Sequence, residues 1–176
     1  MTEPRSGAPA RPATPARRRQ RARHCAIQAL YHAQVNPLPP VELVAQFRAD
    51  NDLEDADEEF FSEGVLAVMR RSEEFDADLA PFADRAPEEM DPVERAILRF
   101  AVWELKERID VPFRVVIDQA VTLAKRFGAG ESHRFVNGVL DRAARALRVA
   151  ETGTSATGTS ATGTSPTGTS ETGGRA

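Results

Sequence analysis

The chain has 176 residues, one cysteine and a formal net charge of −4; that length fits one domain, and a lone thiol excludes an internal disulfide. No apolar run approaches the roughly 20 residues that span a bilayer. No apolar core follows the N-terminal arginines as a secretory signal requires, so a cytoplasmic setting is the default.

The charge is unevenly spread. Residues 1–23 carry seven arginines and one acid, Glu3, whereas residues 24–150 carry 15 Lys/Arg against 24 Asp/Glu. Positive charge pooled at one end of an acidic chain aims that end at an anion.

In chain order, residues 1–16 hold Pro4, Pro9, Pro12 and Pro15 among small residues and are expected to be a disordered leader. The run RRRQRARHCAIQALY at 17–31 passes straight into an apolar helical stripe, giving a first helix from about Arg18 to Gln34 with Ile27, Leu30 and Tyr31 on one face. Asn36, Pro37, Pro39 and Pro40 stop it, and a second helix follows from Val41 to Ala49. Residues 50–59 hold seven acids, after which Phe60, Phe61, Val65, Leu66 and Met69 mark a third helix. Phe75, Leu79 and Phe82 continue or restart it before Pro87.

Asp91-Pro92 is an N-cap followed by proline at the first helical position. Val93, Ile97, Leu98, Ala101, Val102 and Leu105 then recur at helical spacing. Pro112 opens the next helix, with Val116, Ile117, Ala120, Val121, Ala124 and Phe127 inward, and Gly128 closes it. Ser132 is placed to cap the last helix, whose stripe is Val136, Val139, Leu140, Ala143 and Leu147. From 151 the chain repeats TGTS units without a large apolar residue, as a solvated tail does. The class is all-α, and the folded domain is expected to span 17–150.

Catalysis has little support. Ser132-His133, His24-Cys25, Asp110 and Asp118 are triad-type residues, yet none lies in a nucleophile elbow, a metal-ligand spacing or a phosphate loop. The acidic run at 50–59 lacks the glycine and ligand spacing of a calcium loop. The expectation is a non-enzyme without cofactor or metal. The better site is the arm of Arg17, Arg18, Arg19, Arg21 and Arg23, because arginine forks grip phosphate and stack on bases. Its bland reading is a solubilising or transit-like leader. Tyr31 either stacks on a base near the arm or belongs to the core. Asn137 either reads a base edge or satisfies a neighbouring helix end. Residues 95–150 carry an excess of five positive charges, so the C-terminal helices are candidates to share a face with the arm.

Three stretches together resemble the NusB family of bacterial transcription antitermination factors: RRRQRARHCAIQALY at 17–31, DPVERAILRFAVWEL at 91–105, and DVPFRVVIDQAVTLAKRFGAGESHRFVNGVLDRAA at 110–144. The resemblance covers about 17–148. It implies about seven helices in two packed three-helix halves. It implies binding of boxA single-stranded RNA from ribosomal RNA leaders, together with NusE, a small-subunit ribosomal protein, in an antitermination complex on RNA polymerase. The arm arginines match the family's RNA-binding segment, Tyr31 its RNA-contacting aromatic, and Phe135 another position near the RNA. Glu131 falls where the family often carries an aspartate. Glu94 and Glu104 are implied to lie near the NusE surface. The family includes monomers and homodimers that hide the RNA surface, and the sequence leaves both open.

Three rivals stand beside this reading, one of them an enzyme using His133 or Cys25. Another is the NusB-like domain of a ribosomal RNA cytosine methyltransferase, which needs a Rossmann-like domain after residue 150. The third is a helical adaptor that binds protein and never RNA.

Overall fold

A computed structural model of the chain describes residues 13–50 and 53–153. The expected disorder of the leader and of the TGTS repeats lies outside the described residues at 1–12 and 154–176, whereas 15–16 and 151–152 are helical. Among the described residues the secondary structure is helical throughout: α1 (Pro15–Val35), α2 (Pro40–Ala49), α3 (Glu58–Arg70), α4 (Ser72–Leu79), a 3-10 turn (Pro87–Glu89), α5 (Pro92–Glu107), α6 (Phe113–Phe127), α7 (Ser132–Leu147) and the single turn α8 (Val149–Thr152). None of these helices is long and apolar enough to cross a membrane.

The helix ends follow local chemistry. α1 starts earlier than its apolar stripe, because Thr14 accepts the Arg17 N–H at 3.3 Å and Pro15 occupies the first turn. Asp57 caps α3 by accepting the Phe60 N–H at 3.2 Å, and Asp91 caps α5 by accepting the Val93 N–H at 2.8 Å. The chain breaks at Arg71 and restarts as α4. Ser132 corrects the sequence reading: it lies inside α7, and its hydroxyl donates to the Ala129 carbonyl at 2.6 Å instead of accepting a helix N–H. The domain edges also move. The expected boundary at 16/17 falls inside the first turn of α1, and that at 150/151 falls inside α8.

α1, α2 and α3 pack on one another, as do α5, α6 and α7, and α4 lies on the second group. α5 joins the halves by packing on α1 and α3 as well. Its sequence explains this position: residues 96–98 and 100–105 are all buried, so the helix is enclosed on nearly every side. Phe60, Phe100 and Trp103 form the junction, with ring centroids 5.0–5.9 Å apart. Burying each such ring stabilises the fold by about 1.5–3 kcal/mol. Gly64 makes the approach of α3 to α5 possible, since a Cβ there would sit 2.3 Å from Phe100 and 2.8 Å from Trp103.

Charge complementarity fixes the outer layer. Asp76 on α4 accepts from Arg99 at 2.7 and 2.5 Å, and Asp78 accepts from Lys106 at 2.6 Å. Glu74 accepts from Arg71 and Lys106, which holds its carboxyl at about 2, below its ordinary 4.5. The acidic middle of the chain is thus spent partly on the cations of α5.

Candidate nucleic-acid interface

The helical spacing of α1 sorts the five arm arginines into separate roles. Arg17, Gln20, Arg21 and His24 recur at intervals of three and four, so they share one face. That face lines a cleft whose other wall is Gln119, Thr122, Leu123 and Arg126 of α6. Arg18 turns the other way and donates to the Ala56 carbonyl at 3.1 Å. Arg19 pairs with Asp110 at 2.9 Å and Asp57 at 3.6 Å, with its guanidinium over Phe60. Both remain partly or fully exposed.

Arg23 is different and corrects the sequence expectation. It is buried, and its fork donates to both oxygens of Glu104 at 2.8 and 2.7 Å. Its guanidinium carbon lies 5.0 Å from the Phe60 ring centre. All of this removes Arg23 from any RNA surface. Glu104 is buried with it and presents nothing to a partner protein. Burial pushes its carboxyl above the usual range, against the downward pull of Arg23, Arg108 and Arg19. Glu94 is also buried, with Arg85 3.8 Å away and one carboxylate oxygen without a hydrogen-bond partner among the described residues.

His24 sits at the inner end of the basic cleft. Its ring centroid lies 4.7 Å from that of Phe127. Partial burial, then Arg126, then Arg21 lower its pKa below the ordinary 6.5. Phe127 also lines the next stretch of surface along α1, with Gln28, Tyr31, Val35, Phe47 and Val93. Tyr31 is 44% exposed there. Two clefts therefore lie along α1, one lined by the cations Arg17, Arg21 and Arg126 and one by aromatic and apolar side chains around Tyr31, and the His24–Phe127 ring contact lies between them. Phosphates suit the first and base faces the second.

Phe135 is half-buried on α7, with the Arg85 guanidinium 3.9 Å from its ring centre. Glu131 is exposed and pairs with Arg134 at 2.8 Å. Asn137 donates to Asp141 at 3.0 Å, one turn on. Sequence reasoning missed Gln119, Thr122 and Arg126, and it read His24 only as a triad-type residue and Phe127 only as an inward residue of α6, where it is half-buried. The interval from Arg17 through Arg21 to His24 was available as a signal, as was the positive balance after residue 95.

The triad-type residues do not assemble. Cys25 is buried, and Asp110 is held by Arg19 and Arg108. No group of His, Cys, Asp and Glu suited to a metal exists among the described residues.

The NusB family model matches residues 20–145. The transcription antitermination protein NusB of Pseudoalteromonas atlantica is 54% identical over 135 residues, covering 76% of this chain and 95% of that protein. That of Marinobacter nauticus is 44% identical over 151 residues, covering 86% and 94%. The solved structure of NusB from T. maritima superposes with a TM-score of 0.57 at 27% identity, covering 72% of this chain and 89% of the other.

Proposed function

This chain belongs to the NusB family, and from that premise we propose that it binds boxA single-stranded RNA of ribosomal RNA operons. It acts there with NusE, within an antitermination complex on RNA polymerase, in the cytoplasm. Its relatives carry the name transcription antitermination protein, not that of an enzyme.

The observation that carries the RNA reading is the pair of clefts along α1, with Arg17, Arg21 and Arg126 in one and Tyr31 and Phe127 in the other. Arg18 and Arg19 lie on the other side of α1, where Arg19 is paired with Asp57 and Asp110, while Glu131 and Phe135 offer a further surface at the start of α7. Phosphate contacts supply affinity that carries no sequence information. Selectivity for a single strand comes from bases stacked on rings and bonded at their edges. These clefts offer few such contacts, so NusE supplies a second RNA surface.

The test is fluorescence anisotropy with a boxA strand and a scrambled strand, with and without NusE, at two salt concentrations. A boxA preference that NusE strengthens is expected. Equal, steeply salt-sensitive binding to both strands in every condition would leave only a basic arm, and the protein-adaptor reading would replace this one.

A further inference from the structure

We propose that the cleft between α1 and α6 seats a backbone phosphate of the RNA strand, and that His24 is the donor in it that gains a proton as the phosphate arrives. This rests on the RNA reading above and adds a proton-linked contact to it.

The geometry is specific. Arg17 and Arg21 reach the cleft from α1 and Arg126 from α6, with the Thr122 hydroxyl on the same wall. Arg126 and Arg21 are the charges that act on His24, Arg17 lines the same cleft, and no carboxylate lines it among the described residues. Phe127 packs against the imidazole at 4.7 Å between centroids and covers part of it. Partial withdrawal from water, with Arg126 and Arg21 nearby, disfavours the imidazolium and lowers the His24 pKa below its ordinary 6.5. A phosphate in the same space reverses the balance: its negative charge offsets Arg126 and Arg21 and favours the imidazolium. The proton comes from solvent, the protonated ring donates to a phosphate oxygen, and no covalent bond changes.

Linkage then fixes the sign. RNA raises the pKa of His24, so affinity rises as pH falls through the bound-state pKa. The gain levels off below the free-state pKa, which lies under 6.5. Each unit of difference between the two is worth about tenfold in affinity. A phosphate carries no sequence information, so boxA and scrambled strands gain alike.

The experiment measures anisotropy of the full chain with both strands at about pH 7.5 and about pH 5.5, at fixed ionic strength. Parent, His24→Gln and Arg126→Gln are compared, and the His24 ring is titrated by NMR with and without RNA. The parent should gain at least about threefold on acidification with either strand. His24→Gln should lose that gain. Arg126→Gln should weaken RNA binding and raise the free His24 midpoint. The NMR titration of the parent decides the matter even if a variant misfolds. A His24 midpoint unmoved by RNA, or an equal acid gain in His24→Gln, overturns the proposal while leaving RNA binding intact. A gain confined to boxA overturns the phosphate assignment in favour of a base contact. Absence of RNA binding at either pH overturns both this inference and the function it rests on.

Discussion

Replacing Arg23 with alanine removes both donors from Glu104 and leaves a carboxylate that is 2% exposed without its partner. Breaking a buried pair from one side destabilises by about 3–5 kcal/mol. The guanidinium lost from the Phe60 face adds about 0.5–1 kcal/mol. Against a total stability of about 5–15 kcal/mol this is a large fraction. At roughly 3 °C per kcal/mol for a domain of this size, the melting temperature falls by about 10–18 °C. Burial already raises the Glu104 carboxyl, and loss of Arg23 raises it further. A group whose folded pKa lies above its unfolded value stabilises below the unfolded pKa and loses that contribution as pH rises through the folded one. The deficit of Arg23→Ala therefore narrows as pH falls. Replacing both partners, as Arg23→Met with Glu104→Leu, should recover most of the loss, since an apolar pair leaves no buried charge. Thermal unfolding by circular dichroism at several pH values reads all three effects. An Arg23→Ala protein that melts within about 2 °C of the parent yet binds RNA weakly would refute the reasoning and return Arg23 to the RNA surface.

Other perturbations separate the site from the scaffold. Arg17→Ala with Arg21→Ala should leave the melting temperature nearly unchanged, weaken RNA binding, and reduce the salt slope by about 1.4, at about 0.7 per phosphate contact on a single strand. An unaltered slope would place the phosphates elsewhere. Gly64→Ala forces a methyl into the rings of Phe100 and Trp103 and should destabilise by about 1–3 kcal/mol, read by urea unfolding. Glu74→Gln should make stability less sensitive to acid between pH 4.5 and about 2, because a depressed carboxylate stabilises above its unfolded pKa and loses that as pH falls. Parallel acid-unfolding curves would show that the Arg71 and Lys106 contacts contribute nothing in solution.

The parts of the fold that were legible rest on neighbours in sequence. Asp91-Pro92 starts α5 and Gly128 ends α6 because caps are local chemistry. The stripes of α6 and α7 follow from a helical period that one buried face imposes. The fate of each arginine was not legible, because it depends on contacts far along the chain. Arg23 meets Glu104 across 81 positions, and both residues look like surface charges when read alone. Arg19 meets Asp110 in the same way. The second wall of the cleft is contributed by α6, and nothing local to α1 names Arg126 or Phe127 as its neighbours. The Ser132 cap failed for a local reason: its hydroxyl found the Ala129 carbonyl first.

Arg148 imposes an order on assembly. Buried at the start of α8, it donates to the carbonyls of Glu104, Leu105, Arg108 and Val111, and Glu151 beside it accepts the Phe113 N–H that opens α6. The corner where α5 hands over to α6 is therefore secured by residues synthesised 37 to 44 positions later. As the ribosome extends the chain from its N-terminus, α1 to α3 are available to pack early. The helix that joins the two halves keeps an unsealed end until Glu151 has emerged. Completion of the domain is thus timed by its final turn, and a nascent chain halted short of Arg148 holds every long helix but lacks the clasp.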